Sequence, residues 1–76
     1  MRARMKAEVG GLGHRIRALR ERQGVKSKVL AATAGISPVQ LSRIECGKAQ
    51  PTLDTLQKIA GALGVAAVDL IKESAA

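Results

Sequence analysis

The chain has 76 residues, with thirteen Lys or Arg against six Asp or Glu, a formal charge of +7 and no aromatic side chain. That length allows one domain at most and buries only about 60% of the surface that its unfolded form exposes, so its apolar residues have to pack economically. One cysteine, Cys46, and one histidine, His14, exclude an internal disulfide and a protein-ligated zinc site, and no apolar run reaches the roughly 18 residues needed to span a bilayer.

The core has to come from eight Leu, five Ile and six Val, backed by many Ala, a set suited to small, closely packed helices. Gly24, Gly35, Gly47 and Gly64 divide the chain into segments of helical period, each ending where a C-terminal cap belongs. The first helix is expected from about 11 to 23, with Leu12, Ile16 and Leu19 on its inner stripe and Arg15, Arg17, Arg20 and Arg22 around it. Residues 1–10 read either as a basic arm or as an extension of that helix, and they lead into no hydrophobic region of a secretory signal. The domain itself is expected over 11–74. A short second helix runs from Ser27 to Ala34 and is stopped by Gly35.

After the corner Gly35-Ile36-Ser37, a third helix opens on a strong signature: Ser37 as N-cap, Pro38 at the first helical position and Gln40 completing a capping box. Leu41 and Ile44 face inward, and Gly47 stops the helix. Thr52, after Pro51, caps a fourth helix whose inner stripe is expected to be Leu53, Leu56, Ile59, Ala60 and Leu63, closed by Gly64. A fifth follows from about Ala67 to Glu73. The expected fold class is all-α, a five-helix bundle.

Charge is unevenly placed. Residues 1–50 hold eleven Lys or Arg against Glu8, Glu21 and Glu45, a balance of +8, whereas residues 51–76 balance at −1. A basic face of this kind seeks a polyanion. Two short helices joined by a tight glycine corner, the second capped and polar in its first turns, fit the major groove of a duplex, which is about 12 Å wide. The N-terminus of helix 2, with Ser27 and Lys28, is placed to meet a backbone phosphate. Absent aromatics argue against modules that stack single-stranded bases, and against membrane anchoring through helix 1.

Over Leu12 to Ile71 the chain resembles the Cro and phage-repressor type of helix-turn-helix domain. The matching pieces are Ile16-Arg-Ala-Leu-Arg-Glu-Arg-Gln-Gly24, Leu30-Ala-Ala-Thr-Ala-Gly-Ile-Ser37, Leu41-Ser-Arg-Ile-Glu-Cys-Gly-Lys48 and Pro51-Thr-Leu-Asp-Thr-Leu-Gln-Lys-Ile-Ala-Gly-Ala-Leu-Gly-Val65. The resemblance implies a lambda-repressor-like bundle with the helix-turn-helix at helices 2 and 3, binding duplex DNA as a two-fold dimer in transcription control. Carried over by position, base reading falls on Pro38, Val39 and Arg43, with Gln40 reaching base or phosphate. Arg43 is the natural bidentate donor to guanine, while Val39 offers only apolar contact, such as with a thymine methyl. Pro38 brings no side-chain hydrogen bond, which shifts weight onto Arg43 and DNA shape.

Helix 2 departs from the family pattern of a Ser or Thr cap followed by Gln, having Lys26 and Ser27 instead. The cap is expected to slip to Ser27, with Lys26, Lys48 and Gln50 as substitute phosphate contacts beside Lys28 and Ser42. The resemblance also implies an internal ion pair between Arg20 and Glu45. His14 reads as a surface residue and Cys46 as a small packing residue or half-exposed thiol. No acid, base and nucleophile set suggests an enzyme, and no cofactor is implied.

Val65, Val68, Leu70 and Ile71 exceed the expected needs of the core and form the candidate dimer surface. The reading is a cytoplasmic, homodimeric regulator, repressor-like, on an inverted repeat with half-sites about 10 base pairs apart. Two alternatives stand beside it: a DNA-binding antitoxin or restriction-modification controller, and a protein–protein adaptor that keeps the fold without binding DNA.

Overall fold

The computed structural model describes the backbone of residues 2–75 and the side chains of residues 11–72. Five helices follow in chain order: α1 (Arg2–Arg22), α2 (Ser27–Ala34), α3 (Pro38–Glu45), α4 (Leu53–Leu63) and α5 (Ala67–Ala75). Helix α1 begins at Arg2 rather than near residue 11. This is the helical extension rather than the separate arm: residues 2–8 are mostly good helix formers without proline, and the helix runs on through Gly10 and Gly11. The side chains of residues 1–10 lie outside those described.

The local signals that end each helix act as their chemistry requires. Gly35 and Gly64 sit at φ 76° and 75° and return their N–H groups to carbonyls of the preceding turn. This left-handed region is strained for any residue with a Cβ. Ser37 Oγ accepts from Gln40 N at 3.0 Å, and Thr52 Oγ1 accepts from Thr55 N at 3.1 Å. Helix α2 has no such cap. Its N-cap is Lys26, which offers no side-chain acceptor, and Ser27 is the first helical residue. The cap has therefore not slipped to Ser27: Lys26 already holds the extended backbone of an N-cap (φ −74°, ψ 149°), so the serine is inside the helix.

Helix α1 packs on α3 and α5, α2 on α3 and α4, and α4 on α5. Their shared core is Ile16, Leu30, Ala31, Ala34, Leu41, Ile44, Leu56, Ile59, Ala60, Leu63 and Leu70, with Leu12, Leu19, Val25, Ile36 and Val65 packed around it. Two apolar residues fall on the other side of expectation. Leu53 belongs by period to the stripe of α4, yet it is 63% exposed. It occupies the first helical position of α4. Leu70, expected on the surface, is buried. On α5, Ala67 and Leu70 share the face turned to the core, as residues three apart do, and Val68 and Ile71 share the outer one.

Inside α1 a glycine does structural work that no cap explains. Gly13 is buried against α3, and a Cβ built on it would lie within the van der Waals surface of the Ile44 carbonyl. Backbone meets backbone there, and neither side can rotate away. Gly61, by contrast, lies in α4 with nothing within 4 Å of the Cβ position. Gly13→Ala is therefore expected to lose about 1–3 kcal/mol, the range of an overpacked core. Gly61→Ala should gain about 0.5–1 kcal/mol from helix propensity. Urea unfolding followed by circular dichroism reads both as opposite shifts of the midpoint at constant slope.

Candidate nucleic-acid interface

The α2–α3 corner is fixed by its own backbone. After Gly35 turns the chain, Ile36 N donates to Ala31 O at 2.9 Å, and the half-buried Ile36 side chain packs against the core. Two closures tie the far end of α3. Cys46 N donates to Ser42 O, while Lys48 N and Ala49 N both donate to the Arg43 carbonyl, at 2.8 and 3.2 Å. The loop carrying Lys48 and Gln50 is thereby held against the last turn of α3, where Cys46 is the C-cap with its thiol exposed.

A division between faces runs along α3. Leu41, Ile44 and Glu45 are buried; Pro38, Val39, Gln40, Ser42 and Arg43 are exposed. Lys26, Ser27, Lys28, Lys48 and Gln50 are also exposed. The residues expected to touch bases or phosphates thus all have access to a ligand. Val39 is 69% exposed, the highest value among the large apolar side chains of the described residues. The Arg43 side chain makes no hydrogen bond or ion pair among the described residues, so its guanidinium is available.

The inner face explains how so short a helix is held. Glu45 is the buried charged residue beneath the reading surface, and Arg20 of α1 meets it with two nitrogens, Nε to Oε2 at 2.8 Å and Nη2 to Oε1 at 3.1 Å. The remaining Nη1 of Arg20 donates to the Val25 carbonyl at 3.0 Å in the α1–α2 connection. One guanidinium therefore joins α1, α3 and the turn between α1 and α2. Its pKa is raised from the ordinary value, first by the hydrogen bond to Glu45, against the lowering effect of burial. Gln23 adds a second tie of this kind, donating from Nε2 to the Leu63 carbonyl at 2.8 Å.

This pair has an electrostatic consequence outside it. Between Arg22 and Leu53 the chain carries no acidic residue other than Glu45, and its charge is taken up by Arg20. Lys26, Lys28, Arg43 and Lys48 are left without a compensating carboxylate in that stretch. The surface is positive because its one anion is turned inward.

Gly13, the Gln23 tie and the third contact of Arg20 were not anticipated from the residues. Only Gly13 left a signal, a glycine inside a helical pattern with no cap to form. The candidate dimer residues do not stay together: Leu70 lies in the core and Val65 is half-buried against it, which leaves Val68 and Ile71 exposed, at 55% and 43%. Among the described residues no group of His, Cys, Asp and Glu could hold a metal ion, and no helix is long and apolar enough to cross a membrane.

Comparison with known proteins follows the same outline. A helix-turn-helix family model matches residues 16–70. An HTH-type transcriptional regulator of Deinococcus deserti is 39% identical over 80% of the chain, which spans 47% of that regulator's length. Among solved structures, the clp gene regulator ClgR of Corynebacterium glutamicum superposes with a TM-score of 0.84 at 31% identity, covering 90% of this chain and 72% of that one. The restriction-modification controller protein C.AhdI of Aeromonas hydrophila does so at 0.81 and 28%, covering 84% and 97%.

Removing either partner of the Arg20–Glu45 pair strands a charge that the fold has desolvated, since their side chains are only 12% and 7% exposed. Arg20→Ala should cost about 3 kcal/mol. The Arg17–Glu21 pair, exposed on both sides at 53% and 56%, is the control, and Arg17→Ala should change stability by less than about 0.5 kcal/mol. Thermal unfolding of the two variants should separate by about 10–20 °C on the scale of about 4–8 °C per kcal/mol for a domain this small.

Proposed function

The chain belongs to the helix-turn-helix family, and from that premise we propose that it is a sequence-specific duplex-DNA-binding regulator of transcription, repressor-like, acting as a homodimer in the cytoplasm. The observation that carries the reading is the outer face of α3. Gln40 and Arg43 are exposed on a helix whose other face is locked to α1, and Lys26, Lys28 and Lys48 are exposed with no ion pair among the described residues. Placed in a major groove, α3 would present Val39, Gln40 and Arg43 to base edges, with Pro38 at its tip. Helix α2 would cross the phosphates with Lys26, Ser27 and Lys28, and the loop with Lys48 and Gln50, together with Ser42, would flank them.

Phosphate contacts position the protein, and base contacts give it a sequence to read. Two copies joined through the outer face of α5, where Val68 and Ile71 lie exposed together, would set two reading helices on successive grooves. Their half-sites would lie about 10 base pairs apart. A restriction-modification controller is the second reading, favoured by the likeness to C.AhdI over 97% of that chain.

Selection of bound duplexes from a random pool tests the proposal. It expects an enriched inverted repeat, with log affinity falling linearly in log salt by about 0.9 for each phosphate contacted. Lys28→Ala should weaken all duplexes alike and reduce that slope by about 1, whereas Arg43→Ala should cost about 1–3 kcal/mol at one position of the site only. A pool that yields no enriched duplex at any salt rejects the reading.

A further inference from the structure

The first two residues of α3 are chemically unlike a surface that reads bases through hydrogen bonds. Pro38 has no N–H, and its side chain neither donates nor accepts. Val39 follows, and its two methyl groups stand in solvent while the apolar side chains Leu41 and Ile44 fill the core. An exposed β-branched residue adds little to a two-turn helix, because it loses rotamer freedom there and buries nothing. Its apolar surface becomes useful when something apolar covers it.

The base edges of a major groove offer one apolar group, the C5 methyl of thymine, and 5-methylcytosine carries the same methyl at the same place. Arg43 lies four residues after Val39, on the same face of α3 as one-turn neighbours are, and about 6 Å further along the axis. Stacked base pairs are spaced by about 3.4 Å, so the two side chains span no more than about two base pairs. Arg43 is exposed and its guanidinium has no intramolecular partner among the described residues, which leaves its planar fork for guanine O6 and N7.

We propose that Val39 and Arg43 act as one reading unit for a C5-methylated pyrimidine within two base pairs of a guanine, so that binding responds to the pyrimidine methyl itself. The unit distinguishes thymine from uracil, and 5-methylcytosine from cytosine, at a single position of each half-site. It follows that cytosine methylation of a suitable site strengthens binding rather than blocking it. This inference rests on the duplex-reading function proposed above and specifies what that surface reads.

Burial of one methyl is worth about 0.8 kcal/mol, which converts to about fourfold in affinity. The experiment uses the duplex enriched from a random pool, with each thymine replaced singly by uracil. At the position that responds, it then compares a cytosine·guanine pair with a 5-methylcytosine·guanine pair. Uracil should bind about fourfold more weakly than thymine at that position, and 5-methylcytosine about fourfold more tightly than cytosine. Val39→Ser should abolish both differences while keeping its helical circular dichroism. A response to uracil without one to 5-methylcytosine supports the methyl contact and overturns its extension to methylated cytosine. Equal affinity for all members at every position overturns the inference while leaving the regulator reading in place, as does a Val39→Ser protein that keeps the methyl response. A pool with no enriched duplex overturns both.

Discussion

The orientation of α3 depends on a close approach between two backbones. Gly13 of α1 sits against the Ile44 carbonyl of α3 with no room for a Cβ, and seven residues later Arg20 holds Glu45 through two nitrogens. Residues seven apart lie on one face of a helix. The completely buried Ile16 lies between them, so a single stripe of α1 fits the inner side of α3. Shape at Ile44 and charge at Glu45 together seat the C-terminal end of α3 on that stripe.

Several properties follow from this seat. Helix α3 is only eight residues long, too short to be stable by propensity, so its order has to be borrowed from packing. With Leu41, Ile44 and Glu45 committed to the interior, the opposite face is free to carry side chains that contribute nothing to folding, among them the exposed Val39 and the unpaired Arg43. Burying Glu45 also removes the one acid from the stretch that bears Lys26, Lys28, Arg43 and Lys48. The interaction that holds the helix in place is therefore the one that leaves its surroundings positive. A buried ion pair often adds little net stability; here it fixes position and sign together.

Much of the architecture could be read from residues whose effect is local. Ser37, Pro38 and Thr52 mark helix starts because a cap acts within three residues of itself, and Gly35 and Gly64 mark ends because φ near 75° excludes most other residues. What escaped the sequence depends on which neighbour arrives from elsewhere in the chain. Gly13 looks like a liability in a helix until α3 is laid against it. Leu53 fits the stripe of α4 by period, but whether its first turn is covered depends on where the other helices stop. Leu70 and Ile71 are adjacent and equally apolar, and only the packing of α5 on α1 and α4 sends one inward and the other out. The outer face of α3 was legible as a set of residues, whereas its mounting on Gly13 was not. The pairing of Arg20 with Glu45 was suggested by family resemblance rather than by spacing.

If α3 is an integral part of the core rather than a flap lying on it, its amides have no way to open alone. Native-state hydrogen exchange measures this directly, because each amide reports the free energy of the opening that exposes it. The amides of Leu41 and Ile44 should exchange with the same free energy as that of Ile59 in α4, equal to the free energy of global unfolding. Exchange of Leu41 and Ile44 through a local opening several kcal/mol below the global value would contradict the account.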